Sequence, residues 1–137
     1  NYRQVLVPFA GGPNSLLSLR TASILVDPTE GIVRPFTVVA PGGSPPDVRE
    51  FILRHPGQFA CPIERFQPAS VVSRDVPGAL TEAARNADLV VIGASRTVRV
   101  KRLAVRPLAE DLASRLPCAL IMVRAAHPVT SLVNRWL

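Results

Sequence analysis

The chain has 137 residues, enough for one domain with a sizeable core and too few for two. Hydrophobic residues make up 47% and aromatic residues only 5%, so the core must be built from Val, Leu, Ile and Ala, as in a buried parallel sheet. The formal net charge is +6, carried by Arg in every case but Lys101; with few aromatics for stacking and no reader motif, nucleic acid is excluded as a partner, whereas an anionic surface or ligand is not.

Arg3 to Pro8 is a short apolar run and reads as the first strand. Gly11-Gly12-Pro13-Asn14 breaks it, and Asn14 or Ser15 is expected to cap the helix that follows. That helix carries Leu16, Leu17, Leu19, Ala22, Ile24, Leu25 and Val26 at helical spacing and ends at Asp27-Pro28. Ile32 to Val39 is a second strand, in which Pro35 predicts a bulge or an irregular start. After a Pro/Gly loop, Asp47 to Arg54 forms a short helix with Val48, Phe51 and Ile52 on one face, closed by His55-Pro56-Gly57. Residues 58–68 carry no periodic signal.

Ala69 to Ser73 is the third strand, and Asp75 caps a helix from Val76 to Asn86 with Pro77 in its first turn. Asp88 to Gly93 is apolar on both faces and belongs at the sheet centre. Ser95 to Arg106 reads as a basic loop holding Arg96, Arg99, Lys101, Arg102 and Arg106 without an intervening acid. Val105, Leu108, Ala109, Leu112, Ala113 and Leu116 repeat at three and four, a helix that Pro117 stops. Cys118 to Arg124 reads as a last buried strand, and residues 127–137 as a tail beyond a domain of residues 1–126. Five strands alternating with helices give an α/β fold, an open parallel sheet with helices on both faces. Ligands in such sheets sit at the carboxyl ends of the strands, here the loops after Pro8, Val39 and Ile92.

Asp88-Leu89-Val90-Val91-Ile92-Gly93-Ala94-Ser95-Arg96, the segment from Leu103 to Asp111, and Leu116-Pro117-Cys118-Ala119-Leu120-Ile121-Met122-Val123-Arg124 together resemble the second half of a universal stress protein domain. Val5-Leu6-Val7-Pro8 with its glycine loop resembles that family's first strand. The resemblance covers nearly the whole chain and is thinnest over residues 44–68, where the family has a longer second helix. It implies strand order 3-2-1-4-5, a homodimer through the last strand, a cytoplasmic setting and, in one branch, ATP held by G-x2-G-x9-G-[ST].

In this chain that motif keeps only its first glycine, Gly93; Arg96, Arg106 and Pro107 stand at the other positions, and Ala10 replaces the acidic residue of the first strand. Pro8, Ala10, Gly11, Val39, Gly93, Ser95, Arg96 and Arg106 are therefore the candidate residues of a degenerate nucleotide or anion site. Either two Arg side chains and a proline lacking an N–H close it to nucleotide, or the basic run holds another anion: an acidic lipid headgroup, a cyclic nucleotide or an acidic partner loop. No cofactor is expected, with ATP or another adenine nucleotide as the alternative. The opening without an acidic residue resembles the domains appended to cation:proton antiporters and amino-acid permeases, and the start at Asn1 suggests a piece of a longer protein. His55 and His127 each precede a proline, no nucleophile motif is complete, and Cys61 and Cys118 lack metal spacing, so neither catalysis nor a metal site is expected. The reading is a regulatory or interaction domain, against a nucleotide-binding stress protein or a structural homodimerisation module.

Overall fold

Successive residues of a strand face opposite sides of its sheet, and in the central strands of this protein both sides are apolar. Val5 and Val7 point with Leu89 and Val91 into one buried cluster, while Leu6 points with Val90 and Ile92 into another. The structure, a computed structural model, describes residues 2–94, 97–100 and 104–125, of which 97–100 and 104–107 are described by their backbone only. Its elements run β1 (Gln4–Pro8), α1 (Pro13–Leu25), β2 (Ile32–Val39), α2 (Val48–Leu53), β3 (Ala69–Val72), α3 (Val76–Ala83), β4 (Leu89–Gly93), β5 (Thr97–Val100), β6 (Ala104–Pro107), α4 (Leu108–Ala113) and β7 (Ala119–Val123). The main sheet has the order β3-β2-β1-β4-β7, all parallel, which is the expected 3-2-1-4-5 arrangement. α1 and α2 cover one face and α3 and α4 the other.

β4 is buried along its whole length, as its unbroken apolar run predicts. The start of the sheet is fastened by Asp88, whose two carboxylate oxygens accept the N–H groups of Arg3 and Gln4, each at 2.9 Å. Asp47 and Asp75 cap α2 and α3 by accepting the N–H groups of Glu50 and Gly78. α3 ends in a 3-10 turn over Ala84–Asn86.

Several expectations are corrected. Pro35 causes no bulge. The carbonyls of Val33 and Val39 accept from Gln67 and Ser73 on the β3 side. Pro35 has the same parity, so its missing donor faces that side just ahead of the first ladder pair, Phe36 with Ala69. The register with β1 runs through the proline unbroken, so there is no bulge, but the pairing with β3 is interrupted at it, between the isolated bridge of Val33 with Phe66 and the ladder that begins at Phe36, which is the irregular start expected.

α1 buries Ser15, Ser18, Leu19, Ala22 and Ser23 and leaves Ile24 69% exposed, so its inner face is not the leucine-rich one. Burial is tolerated because Ser18 and Ser23 donate their hydroxyls to the carbonyls of Asn14 and Arg20 at 2.7 Å. Asn14 and Ser15 lie inside α1, and its N-cap is Gly12 without a side-chain bond.

β7 is an edge strand, half open to solvent, with Met122 57% exposed; it is not buried as its composition suggests. The segment read as a basic loop contains an antiparallel hairpin of β5 and β6, with Val98 opposite Arg106 and Val100 opposite Ala104. Its β-branched residues favour extended backbone, and α4 consequently starts at Leu108, not around Val105. Residues 126–137, which include the expected tail, lie outside the described residues.

Asp27 ends the α1 connection by accepting the N–H groups of Glu30 and Thr29 and the Thr29 hydroxyl. These bonds, that of Glu30 foremost, hold its pKa at about 2, below the ordinary 3.8. A depressed folded-state pKa means that the contribution is complete above 3.8 and is lost as pH falls through about 2. An NMR titration is expected to place the Asp27 midpoint near 2, and Asp27→Asn to flatten the acid limb of the stability profile.

Candidate functional site

β1 lies between β2 and β4, and the chain turns to opposite sides of it, so the sheet's switch point falls between β1 and β4. Of the predicted site residues, Pro8 ends β1, Val39 ends β2 and Gly93 ends β4, all three buried. Ala10 and Gly11 follow β1 as an exposed turn. The fold thus brings these five to one end of the sheet. Ser95 and Arg96 lie outside the described residues, and Arg106 is described by backbone alone, in β6.

Gly11 has φ 90°, a left-handed conformation that favours glycine. It turns the backbone so that the N–H groups of Ala10 and Gly11 converge on one atom, the hydroxyl oxygen of Ser15, at 3.1 and 3.0 Å. Ser15 is itself buried, with 6% exposure. Two neighbouring amides at a helix start form the kind of concavity that takes an anion; here a side chain of the protein takes both. Pro13 contributes no N–H, and those of Ser15 and Leu16 bond back to the Gly12 carbonyl.

Gly93 has a different role from the one its motif position suggests. A Cβ on it would lie 2.6 Å from the Cβ of Asn14. The missing side chain lets the first turn of α1 seat directly on the end of β4. Asn14 then accepts the N–H of Ala125 through Oδ1 at 2.8 Å, while Ala94 donates its N–H to the carbonyl of Val123, also at 2.8 Å. Asn14 and Ser15 thus fill this crevice, where sequence reasoning read them only as helix caps.

Beside the crevice, the phenyl of Phe9 is buried against Phe51, with ring centres 5.0 Å apart and planes at 82°. Phe51 in turn stacks on His55 at 4.8 Å. Around the sheet edge, an open groove of about 420 Å³ is lined by Ala94, Ala109, Glu110, Ala113, Leu120, Met122 and Arg124. Burial pushes the thiols of Cys61 and Cys118 up, Arg65 partly offsetting this for Cys61 and Asp88 adding to it for Cys118. Both thiols therefore stay protonated at neutral pH and are poor nucleophiles. Among the described residues, no group of three or more His, Cys, Asp or Glu side chains is placed to hold a metal ion.

No family model matches the sequence, and no curated protein matches it. Solved structures do match the fold. A universal stress protein in complex with cAMP superposes with a TM-score of 0.68 at 23% identity, covering 90% of this chain and 97% of the other. Universal stress protein UspA from Lactobacillus plantarum gives 0.62 at 16% identity over 90% and 99% of the two chains. A universal stress family protein from Burkholderia pseudomallei gives 0.61 at 22% over 90% and 97%. The architecture defined here is therefore that of the universal stress proteins.

Two substitutions test the crevice. Ser15→Ala leaves two converging amides without an acceptor and is expected to lower stability by about 1–3 kcal/mol. Gly93→Ala drives a methyl into Asn14 and is expected to cost about 1–3 kcal/mol. Urea denaturation of each variant measures both.

Proposed function

We propose that this chain is a regulatory and interaction domain of universal stress type, without catalytic activity, that serves as the non-membrane part of a transporter. The observation that carries the reading is the self-occupied crevice: Ser15 takes the amides of Ala10 and Gly11, and Asn14 takes the space beside Gly93. A site filled by its own side chains suits a module that works through its surfaces. One such surface is the edge of β7, which has no second partner strand among the described residues and whose exposed Met122 and adjoining groove favour pairing with a second copy. Another is the basic run from Arg96 to Arg106, suited to an acidic lipid headgroup or an acidic loop of the attached protein.

The absence of catalysis agrees with His55, whose Nδ1 is engaged with the Phe51 carbonyl at 2.8 Å, and with two protonated thiols. The link to a transporter rests on the Val5-Leu6-Val7-Pro8-Phe9-Ala10 opening, which lacks an acidic residue. Among the described residues, no helix is long and apolar enough to cross a membrane.

A second reading, an adenine-nucleotide site with altered phosphate contacts, is favoured by one observation: the structural neighbour at 23% identity was solved in complex with cAMP. Calorimetric titration with ATP, AMP and cAMP at low and moderate salt separates the two. The first reading expects no saturable heat from any nucleotide. Saturable binding that disappears in the Arg96→Ala, Arg106→Ala double variant would establish the second.

A further inference from the structure

A hollow sits between α2 and β3. α2 has only six residues and stops at Leu53. The chain then turns at His55-Pro56-Gly57 and returns through Phe59, Cys61 and a 3-10 turn over Ile63–Arg65 to the buried Phe66. This short helix and its returning segment border an open hollow of about 190 Å³, lined by Ile52, Leu53, Phe59, Cys61, Ile63 and Phe66 together with the His55-Pro56-Gly57 turn. A cavity of about 150 Å³ is large enough to take benzene, so by size the hollow has room for one substituted aromatic ring. Phe59 and Phe66 meet edge to face at 5.3 Å and 71°, which gives a ring two fixed aromatic surfaces to pack on.

The polar groups around the hollow narrow the ligand further. His55 lies at one end. Its Nδ1 is 2.8 Å from the Phe51 carbonyl, which can only accept, so Nδ1 carries the proton. In the neutral ring Nε2 is then a hydrogen-bond acceptor, and no described residue occupies it. A smaller hollow of about 50 Å³ shares Ile52, Ile63 and Phe66 with the first and is lined also by Arg49 and Pro68. Arg49 and Ile52, three residues apart, lie along one side of α2, and His55 follows two residues beyond the helix end. Arg49 makes no ion pair among the described residues, since neighbouring Glu50 is taken by Arg54 at 2.8 Å.

We propose that this trough binds a small aromatic carboxylic acid with a hydrogen-bond donor on its far side. The ring packs on Phe59 and Phe66, the donor meets Nε2 of His55, and the carboxylate meets Arg49. The site shares no residue with the crevice at the end of β1 and stands independently of the reading proposed above.

The test uses 4-hydroxyphenylacetate, which has all three features, and p-cresol, which lacks the carboxylate. Titration of the ¹⁵N-labelled full chain is expected to give saturable amide shifts confined to residues 49–66. Leu53→Trp fills the mouth of the hollow from an exposed position and should weaken binding by about tenfold, with amide dispersion unchanged. Arg49→Gln should weaken the acid about two- to fivefold, as for an exposed ion pair, and leave p-cresol unaffected. Absence of saturable shifts, shifts centred on Asn14 and Ser15, or binding indifferent to Leu53→Trp would each overturn the site. Equal binding of p-cresol and the acid by the unaltered chain would overturn the carboxylate assignment.

Discussion

The carboxyl end of the sheet is organised by the absence of a side chain at residue 93. Because nothing projects there, the first turn of α1 packs on the tip of β4 with Asn14 at the point of contact. That seating brings Ser15 under the turn after β1 and Asn14 Oδ1 within reach of the segment after β7. Three strands, β1, β4 and β7, are thereby referenced to one helix turn. A larger residue at 93 would have to lift α1, and both sets of side-chain bonds would lengthen together.

The remainder of the sheet needs less local detail. A parallel sheet covered on both faces asks only for apolar residues at every position of its central strands, and β4 supplies them without exception. The serine-lined face of α1 shows how the requirement is met by other means. Hydroxyls that return their hydrogen bonds to the helix's own carbonyls behave as small side chains of moderate polarity, and they allow α1 to approach the sheet more closely than leucines would. The larger apolar residues of α1 are partly displaced to its flanks, and Ile24 to solvent.

Most element boundaries were legible in the sequence, because strong apolar runs and Asp caps mark them directly, whereas the strand order followed only from the resemblance to universal stress protein domains. The hairpin of β5 and β6 was not: its charges read as loop, and its residues repeat in a way that also suits a helix. The exposed edge of β7 was not legible either, since apolar residues look alike at an edge and at a centre. Pro8, Ala10, Gly11, Val39 and Gly93 stand together at one end of the sheet, while the contacts that Asn14 and Ser15 make there were not legible. A residue after a Gly-Pro turn signals a cap, but which amides its oxygen meets depends on the path of β1 and on how closely α1 approaches β4. The hollow beneath α2 lies in a stretch whose Pro, Gly and isolated aromatics carry no period, and only the folded chain shows that they face one another.

The bond from Asn14 to the amide of Ala125 spans 111 positions of sequence. It makes the crevice the place where the path of the chain after β7 is anchored. The start of α1 and the exit from β7, far apart in sequence, are thereby stapled to each other, so the chain closes this end of the sheet only once nearly all of it has been placed.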